Sequence, residues 1–170
     1  KDGHYEVLPF IKRIYSRACK IDPYSITKCC RTETLILPNC RELTDNIIMM
    51  LPNLESLTIN ADNMLTGDVF QHLPYLTRLQ ILSDTKRDTL LDIKALKNLS
   101  GLEMLYVRNS MLRNEHFRLL PNLKVLVLED NTSVTSGILN FMPKMELCVI
   151  NRELYKFISS TRNNAIIKRI

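Results

Sequence analysis

Apolar residues recur along this chain in a short pattern that returns about every 22 residues. Segments such as LPNLESLTI and LPNLKVLVL, which begin at Leu51 and Leu120, end in the form L-x-x-L-x-L. A degraded copy begins at Met142, and an earlier copy can be read from Cys29. The last two apolar residues of each copy are two positions apart, so they lie on one face of a strand. The pattern therefore predicts a series of short strands, each with one buried face.

One anchor residue in each copy fixes the period. The anchors are Leu35, Leu57, Leu79, Leu105, Leu126 and Cys148, and the steps between them are 22, 22, 26, 21 and 22 residues. A single unit of this length cannot cover its own apolar face, whereas stacked units bury it in one continuous core. The period is that of a leucine-rich repeat. It predicts an α/β right-handed solenoid with five or six parallel strands in a concave sheet.

The segments between the strands predict helices on the outer side of the solenoid. In TDNIIMMLPN, Thr44 is placed as a cap, Asp45 lies in the first turn, and Ile47 and Ile48 stand at helical spacing. Proline ends most of these segments, because it cannot continue a helix. One equivalent helix is expected to begin at Asp88. The equivalent segments elsewhere begin at Thr66, Asn114 and Thr135.

The 26-residue step is longer than its neighbours, and both ends of the solenoid need a lid. The extra residues fall in the charged stretch 83–88, which predicts a mobile loop. We expect one domain over residues 1–170, with helical caps at 1–28 and 151–170 and about six repeats at 29–150. The C-terminal cap is predicted from helical spacing of Leu154, Phe157 and Ile158.

The first complete repeat also carries a family resemblance. LILPNCRELTDNIIMML, from Leu35, resembles the cysteine-containing leucine-rich repeat of F-box proteins, L-x-L-x-x-C-x-x-L-T-D. Cys40 occupies the cysteine position, and later copies place Asp62, Ser110 and Asn131 there. The resemblance spans about residues 29–150. It implies a protein-binding adaptor, such as the substrate-recognition part of a ubiquitin ligase.

Charge is distributed unevenly and bears on the choice of partner. Residues 1–32 carry +4, residues 33–150 carry −3 and residues 151–170 carry +4. A nucleic-acid-binding sheet would place basic residues along its surface, so the repeats themselves are expected to bind protein. The alternative is an RNA-associated factor that uses its basic ends for nucleic acid and its repeats for protein. A mitochondrial assembly factor with similar repeats is a third interpretation.

The residue types that carry catalysis are not arranged for it here. The sequence has no glycine-rich phosphate loop and no H-E-x-x-H pair, and His4, His72 and His116 are scattered. We therefore expect no enzyme activity, no cofactor, no metal and no small-molecule substrate. Cys40 and Cys148 fall at core positions, which favours reduced thiols and an intracellular location, cytoplasmic or nuclear. No apolar run is long enough to predict a membrane span.

Strand residues that point away from the core predict the binding site. On the later strands these residues are unusually apolar, and such a patch is typical of an interface. Tyr106 lies at its centre as an aromatic anchor. The alternatives are that the C-terminal tail covers the patch or that strand propensity alone selected its valines. The predicted site for a protein or peptide comprises Arg78, Gln80, Met104, Tyr106, Arg108, Val125, Val127, Glu129 and Val149.

Overall fold

The fold is a leucine-rich repeat solenoid built on one sheet. The computed structural model describes residues 10–17, 25–26, 28–82, 91–131, 133–150, 153–158 and 166–169. Within these residues, nine strands lie side by side in chain order. They are β1 Arg13–Tyr15, β2 Thr34–Leu37, β3 Ser56–Asn60, β4 Arg78–Leu82, β5 Met104–Arg108, β6 Val125–Glu129, β7 Leu147–Ile150, β8 Glu153–Ile158 and β9 Ile166–Arg169.

Strands β1 to β7 are parallel, and the predicted anchors lie opposite one another. Leu57 pairs with Leu79, Leu79 with Leu105, and Leu126 with Cys148. All six anchors are buried, with at most 1% of each exposed, so the predicted core and phase are confirmed. On β4, β5 and β6, alternate residues face the other way and are half-buried or exposed. We call that side, turned away from the core, the concave face.

The outer segments differ from the helices that the sequence predicted. Two are α-helices of one turn or so, α1 Asp45–Met49 and α2 Ile93–Lys97. The other three are 3₁₀-helices, Gly67–His72, Asn114–Leu119 and Ser136–Phe141. A 3₁₀-helix rises about 2.0 Å per residue against about 1.5 Å in an α-helix, so it spans the outer side with fewer residues. No helix in the described ranges is long and apolar enough to cross a membrane.

The residues that cap the helices also differ from those predicted. Thr44 stands at the cap position of α1, but its side chain makes no capping hydrogen bond. Asp45 instead accepts hydrogen bonds from the backbone N–H and hydroxyl of Thr66 in the next repeat, at 2.9 and 2.6 Å. Asp92 caps α2 by accepting from the N–H of Ala95 at 2.7 Å. The predicted helix start at Asp88 and the loop at 83–88 lie outside the described residues.

The prediction of a helical N-terminal cap is wrong for residues 13–15, although residues 25–26 are helical. Arg13–Tyr15 form β1, and Ile14 pairs with Leu35 of β2. Ile14 packs against the core, while Arg13 and Tyr15 on either side are exposed. This alternation has the two-residue period of a strand. The parallel sheet therefore has seven strands, one more than the upper number predicted.

The prediction of a helical C-terminal cap is also wrong for residues 153–158 and 166–169. Residues 153–158 form β8, which pairs antiparallel with β7, and residues 166–169 form β9, which pairs antiparallel with β8. The unpaired N–H and C=O groups along a strand edge favour the addition of a further strand. β8 satisfies those groups on β7, so this end of the solenoid continues as sheet.

Candidate functional site

Pairing between strands arranges the concave face in rows. The first row runs from Arg78 on β4 through Met104, Val125 and Leu147. The middle row runs in the same way through Gln80, Tyr106, Val127 and Val149. Repeats of nearly equal length keep the strands in register, so residues from four repeats become neighbours. The structure thus brings the sequence-predicted site residues together on one surface.

Tyr106 lies at the centre of this surface, as predicted. It is half-buried between Gln80 and Val127 on the adjacent strands. Partial burial raises the pKa of the Tyr106 phenol above its ordinary value, and the hydrogen bond to the Glu129 carboxylate raises that pKa further. The phenol therefore stays protonated at neutral pH.

A charged cluster borders Tyr106 where the strands end. The Arg108 Nε lies 3.1 Å from Oδ2 of Asp130 and 3.9 Å from Oε2 of Glu129. Asp130 was not among the predicted site residues. It has a left-handed backbone, φ 54°, as does Asn109 one repeat earlier at φ 55°. Asn and Asp tolerate this conformation better than most residues, and here it brings the Asp130 carboxylate beside Arg108.

The apolar part of the face lies on β5, β6 and β7. Met104, Val125 and Leu147 from the first row and Val127 and Val149 from the middle row are half-buried. Because the core lies on the other side of the sheet, these side chains are not needed to fill it. They form one continuous patch, which we call the apolar stripe.

An ion pair lies just ahead of the apolar stripe. The Lys124 Nζ is 2.9 Å from Oε1 of Glu103, and these residues immediately precede β6 and β5. Hydrogen bonding to Glu103 raises the pKa of the Lys124 ammonium, so the lysine remains charged. The stripe is therefore bordered by neutralised charge on this side and by the Arg108 cluster on the other.

The first strands extend this surface beyond the predicted site. Tyr15 on β1 pairs with Ile36, which continues the middle row, and Tyr15 is 58% exposed. The alternation of Arg13, Ile14 and Tyr15 carried this signal in the sequence. At the other end, pairing places Leu154 beside Val149 in the sheet.

The C-terminal strands bear on the alternative in which the tail covers the apolar stripe. β8 lies alongside β7 as a further strand of the same sheet. Residues 153–158 therefore extend the sheet at its edge, and they do not cross over the stripe. Asn151, which the repeat pattern places at the end of β7, lies outside the described residues.

The four cysteines in the described part of the chain form no disulfide. Cys29, Cys40 and Cys148 are buried and Cys30 is exposed. The predicted burial of Cys40 and Cys148 is confirmed. Burial raises the pKa of the Cys148 thiol to about 12, so it stays protonated and unreactive at neutral pH. Within the described residues, no three His, Cys, Asp or Glu side chains are grouped so as to hold a metal ion.

Comparison with known proteins gives structural neighbours only. No model of a known protein family matches the chain, and no curated protein matches it significantly. Among solved structures, an internalin (inlF) from Listeria monocytogenes is 24% identical over 75% of this chain, with a TM-score of 0.49. A second internalin from the same organism (inlC2) is 14% identical over 82% of this chain and 80% of its own, also with a TM-score of 0.49. The chain spans 44% of the first internalin's length.

Proposed function

We propose that this chain is a non-catalytic binding module that holds a protein or peptide on its concave face. The observation that carries the proposal is the apolar stripe beside Tyr106, since these side chains lie outside the core and yet form a continuous patch. Exposed apolar patches of this kind are typical of interaction sites. Tyr, Met and Arg, all present here, are enriched at the centres of protein interfaces.

Within this class, the resemblance of the first repeat to F-box-type repeats supports an adaptor role. The leading version is the substrate-recognition part of a ubiquitin ligase. The free, buried thiols are consistent with an intracellular protein, either cytoplasmic or nuclear. Co-purification of the natural full-length protein with ubiquitin-ligase subunits would support this version, and a full-length chain that lacks any ligase-binding unit would contradict it.

The test of the binding site compares two tyrosines. Random dodecapeptides displayed on phage are selected against the protein, and the enriched peptides are titrated against Tyr106→Ala and Tyr75→Ala. Tyr75 is 60% exposed and lies in the turn between Leu73 and Leu76, so its loss is the matched control. Tyr106→Ala should weaken binding by more than about tenfold, as expected for a central aromatic anchor. Undiminished binding by a folded Tyr106→Ala would refute the concave site.

RNA association is the second candidate, supported by the C-terminal strands. Pairing places Lys156 beside Leu147 and Lys168 beside Lys156, in line with the first row of the concave face. Under this candidate, charge reversal of Lys168 and Arg169 abolishes binding of a single-stranded RNA, and the wild-type affinity falls steeply with salt. Under the protein-binding proposal, the same double variant binds the selected peptides as the wild type does.

A further inference from the structure

Arg78 is a charge on the concave face that no described carboxylate matches. It is exposed at the start of β4, in the first row between Ser56 and Met104. Among the described residues, no carboxylate forms an ion pair with it. Glu55 precedes the neighbouring strand, and its carbonyl accepts the backbone N–H of Arg78, but the two side chains do not pair. The guanidinium is thus free to bind an acid.

On β4 to β7, the other cations beside the apolar stripe are already paired within the protein. Arg108 is held by Asp130 at 3.1 Å, and Lys124 is held by Glu103 at 2.9 Å. A partner could bind either one only by displacing a carboxylate of the protein itself. Over β4 to β7, the described surface therefore presents one unmatched positive charge, and it lies at one end of the first row.

The spacing of the first row sets the form of a matching ligand. Arg78, Met104, Val125 and Leu147 lie on four adjacent strands. Neighbouring strands are about 4.8 Å apart, so the row is about 14 Å long. An extended peptide rises about 3.3 Å per residue and presents every second side chain on one side. Five residues of such a peptide, about 13 Å from first to last, therefore span the row, with same-side positions at the start, the middle and the end.

We propose that the concave face binds an extended protein segment in which a Glu or Asp pairs with Arg78 and apolar side chains two and four residues away pack on Met104, Val125 and Leu147. This inference rests on the proposed function and names the partner's chemistry. The acid matches the Arg78 charge, which has no partner carboxylate among the described residues. The two apolar positions cover the stripe, and Tyr106 in the middle row flanks the bound segment.

The same surface is poorly suited to a nucleic acid. Beyond Arg78 the first row offers three apolar side chains to any backbone that crosses it. Glu129 and Asp130 lie at the ends of the neighbouring strands and would repel phosphates. A peptide with one acidic side chain pairs with Arg78, and its apolar side chains then need no further cation on the protein.

The experiment uses the random dodecapeptide library described above, with the intact chain as bait. The expected result is enrichment of acid-x-apolar-x-apolar sequences in either chain direction. Arg78→Glu should weaken the binding of an enriched peptide by about fivefold or more. Fivefold corresponds to the upper range for an exposed ion pair. Replacing the peptide's acid by lysine should restore affinity for Arg78→Glu. Lys97→Glu makes the same charge change on α2 at the outer side and should have no effect.

The outcomes separate this inference from the function on which it rests. Peptides that depend on Tyr106 but lack an acid, or that bind Arg78→Glu undiminished, overturn the inference and leave the concave site in place. Failure to enrich any peptide that depends on Tyr106 overturns both. A uridine 20-mer that binds the wild type but not Arg78→Glu, with no peptide enriched, assigns the surface to RNA and also overturns the inference.

Discussion

Asn131 is a fully buried polar residue at the position where the first repeat has Cys40. Its amide nitrogen donates to the carbonyl and hydroxyl of Ser110, at 3.1 and 2.9 Å, and to the carbonyl of Leu112 at 3.3 Å. Its side-chain oxygen accepts from the N–H groups of Ser133 and Val134, both at 2.9 Å. The one side chain therefore satisfies backbone groups in two successive repeats.

Replacing Asn131 with alanine should lower the free energy of unfolding by at least about 2 kcal/mol, because it leaves several buried polar groups unpaired. Asn122→Ala is the control. Asn122 donates to the carbonyl of Ser100 at 2.9 Å and accepts from the Lys144 ammonium at 2.6 Å. Both bonds lie at exposed positions where water can replace them, so a loss below about 1 kcal/mol is expected. Urea denaturation of both variants measures the difference. Equal losses would mean that the buried network adds no more than a surface bond.

Residue-level chemistry of the site was predictable only in part. The two-residue alternation placed Tyr106, Met104 and Val125 on the concave face, because a strand period needs no knowledge of the rest of the fold. The contact of Arg108 with Asp130 was not predictable in the same way. It depends on the left-handed turn at Asp130, which the sequence permits without requiring.

At the scale of the strand, Leu105 is the clearest test of the repeat phase. It is fully buried on β5 and pairs with Leu79 on one side and Leu126 on the other. Leu105→Ala should lower the free energy of unfolding by about 2–5 kcal/mol, the range for a core truncation that leaves a cavity. Met104→Ala, one residue away on the half-buried face, should cost clearly less. Thermal unfolding compares the two. A loss below about 0.5 kcal/mol for Leu105→Ala would contradict the assigned phase.

The C-terminal element shows where local pattern fails. Leu154, Phe157 and Ile158 stand at helical spacing, and they nevertheless lie in β8. Whether these residues form a helix or a strand depends on the open edge of β7, a tertiary feature that can override a weak local preference. The prediction of regular helices for the short outer segments fails for a related reason. Proline and the fixed repeat length confine them to five or six residues, too few for a stable independent helix.

At the scale of the whole molecule, each described strand pairs only with the described strands beside it. Strands β4, β5 and β6 have a parallel partner on both sides, whereas β1 has β2 as its only partner among the described strands. In such an array, stability is roughly a sum of terms within repeats and between neighbouring repeats. Opening should therefore begin at an end and spread inward, and local disturbances should stay local.

This arrangement predicts a gradient of amide hydrogen exchange. The N–H groups of β5 should exchange most slowly and those of β1 faster, because the central strands open only after a neighbouring strand has opened. Leu105→Ala should speed exchange in β4, β5 and β6 by more than about tenfold, as its cavity weakens both adjoining interfaces. Exchange in β2, three strands from the change, should rise much less. Exchange followed by mass spectrometry resolves these strands as separate peptides. If all strands instead exchanged at one common rate, and the substitution raised them equally, the domain would open as a single cooperative unit and the nearest-neighbour description would be wrong.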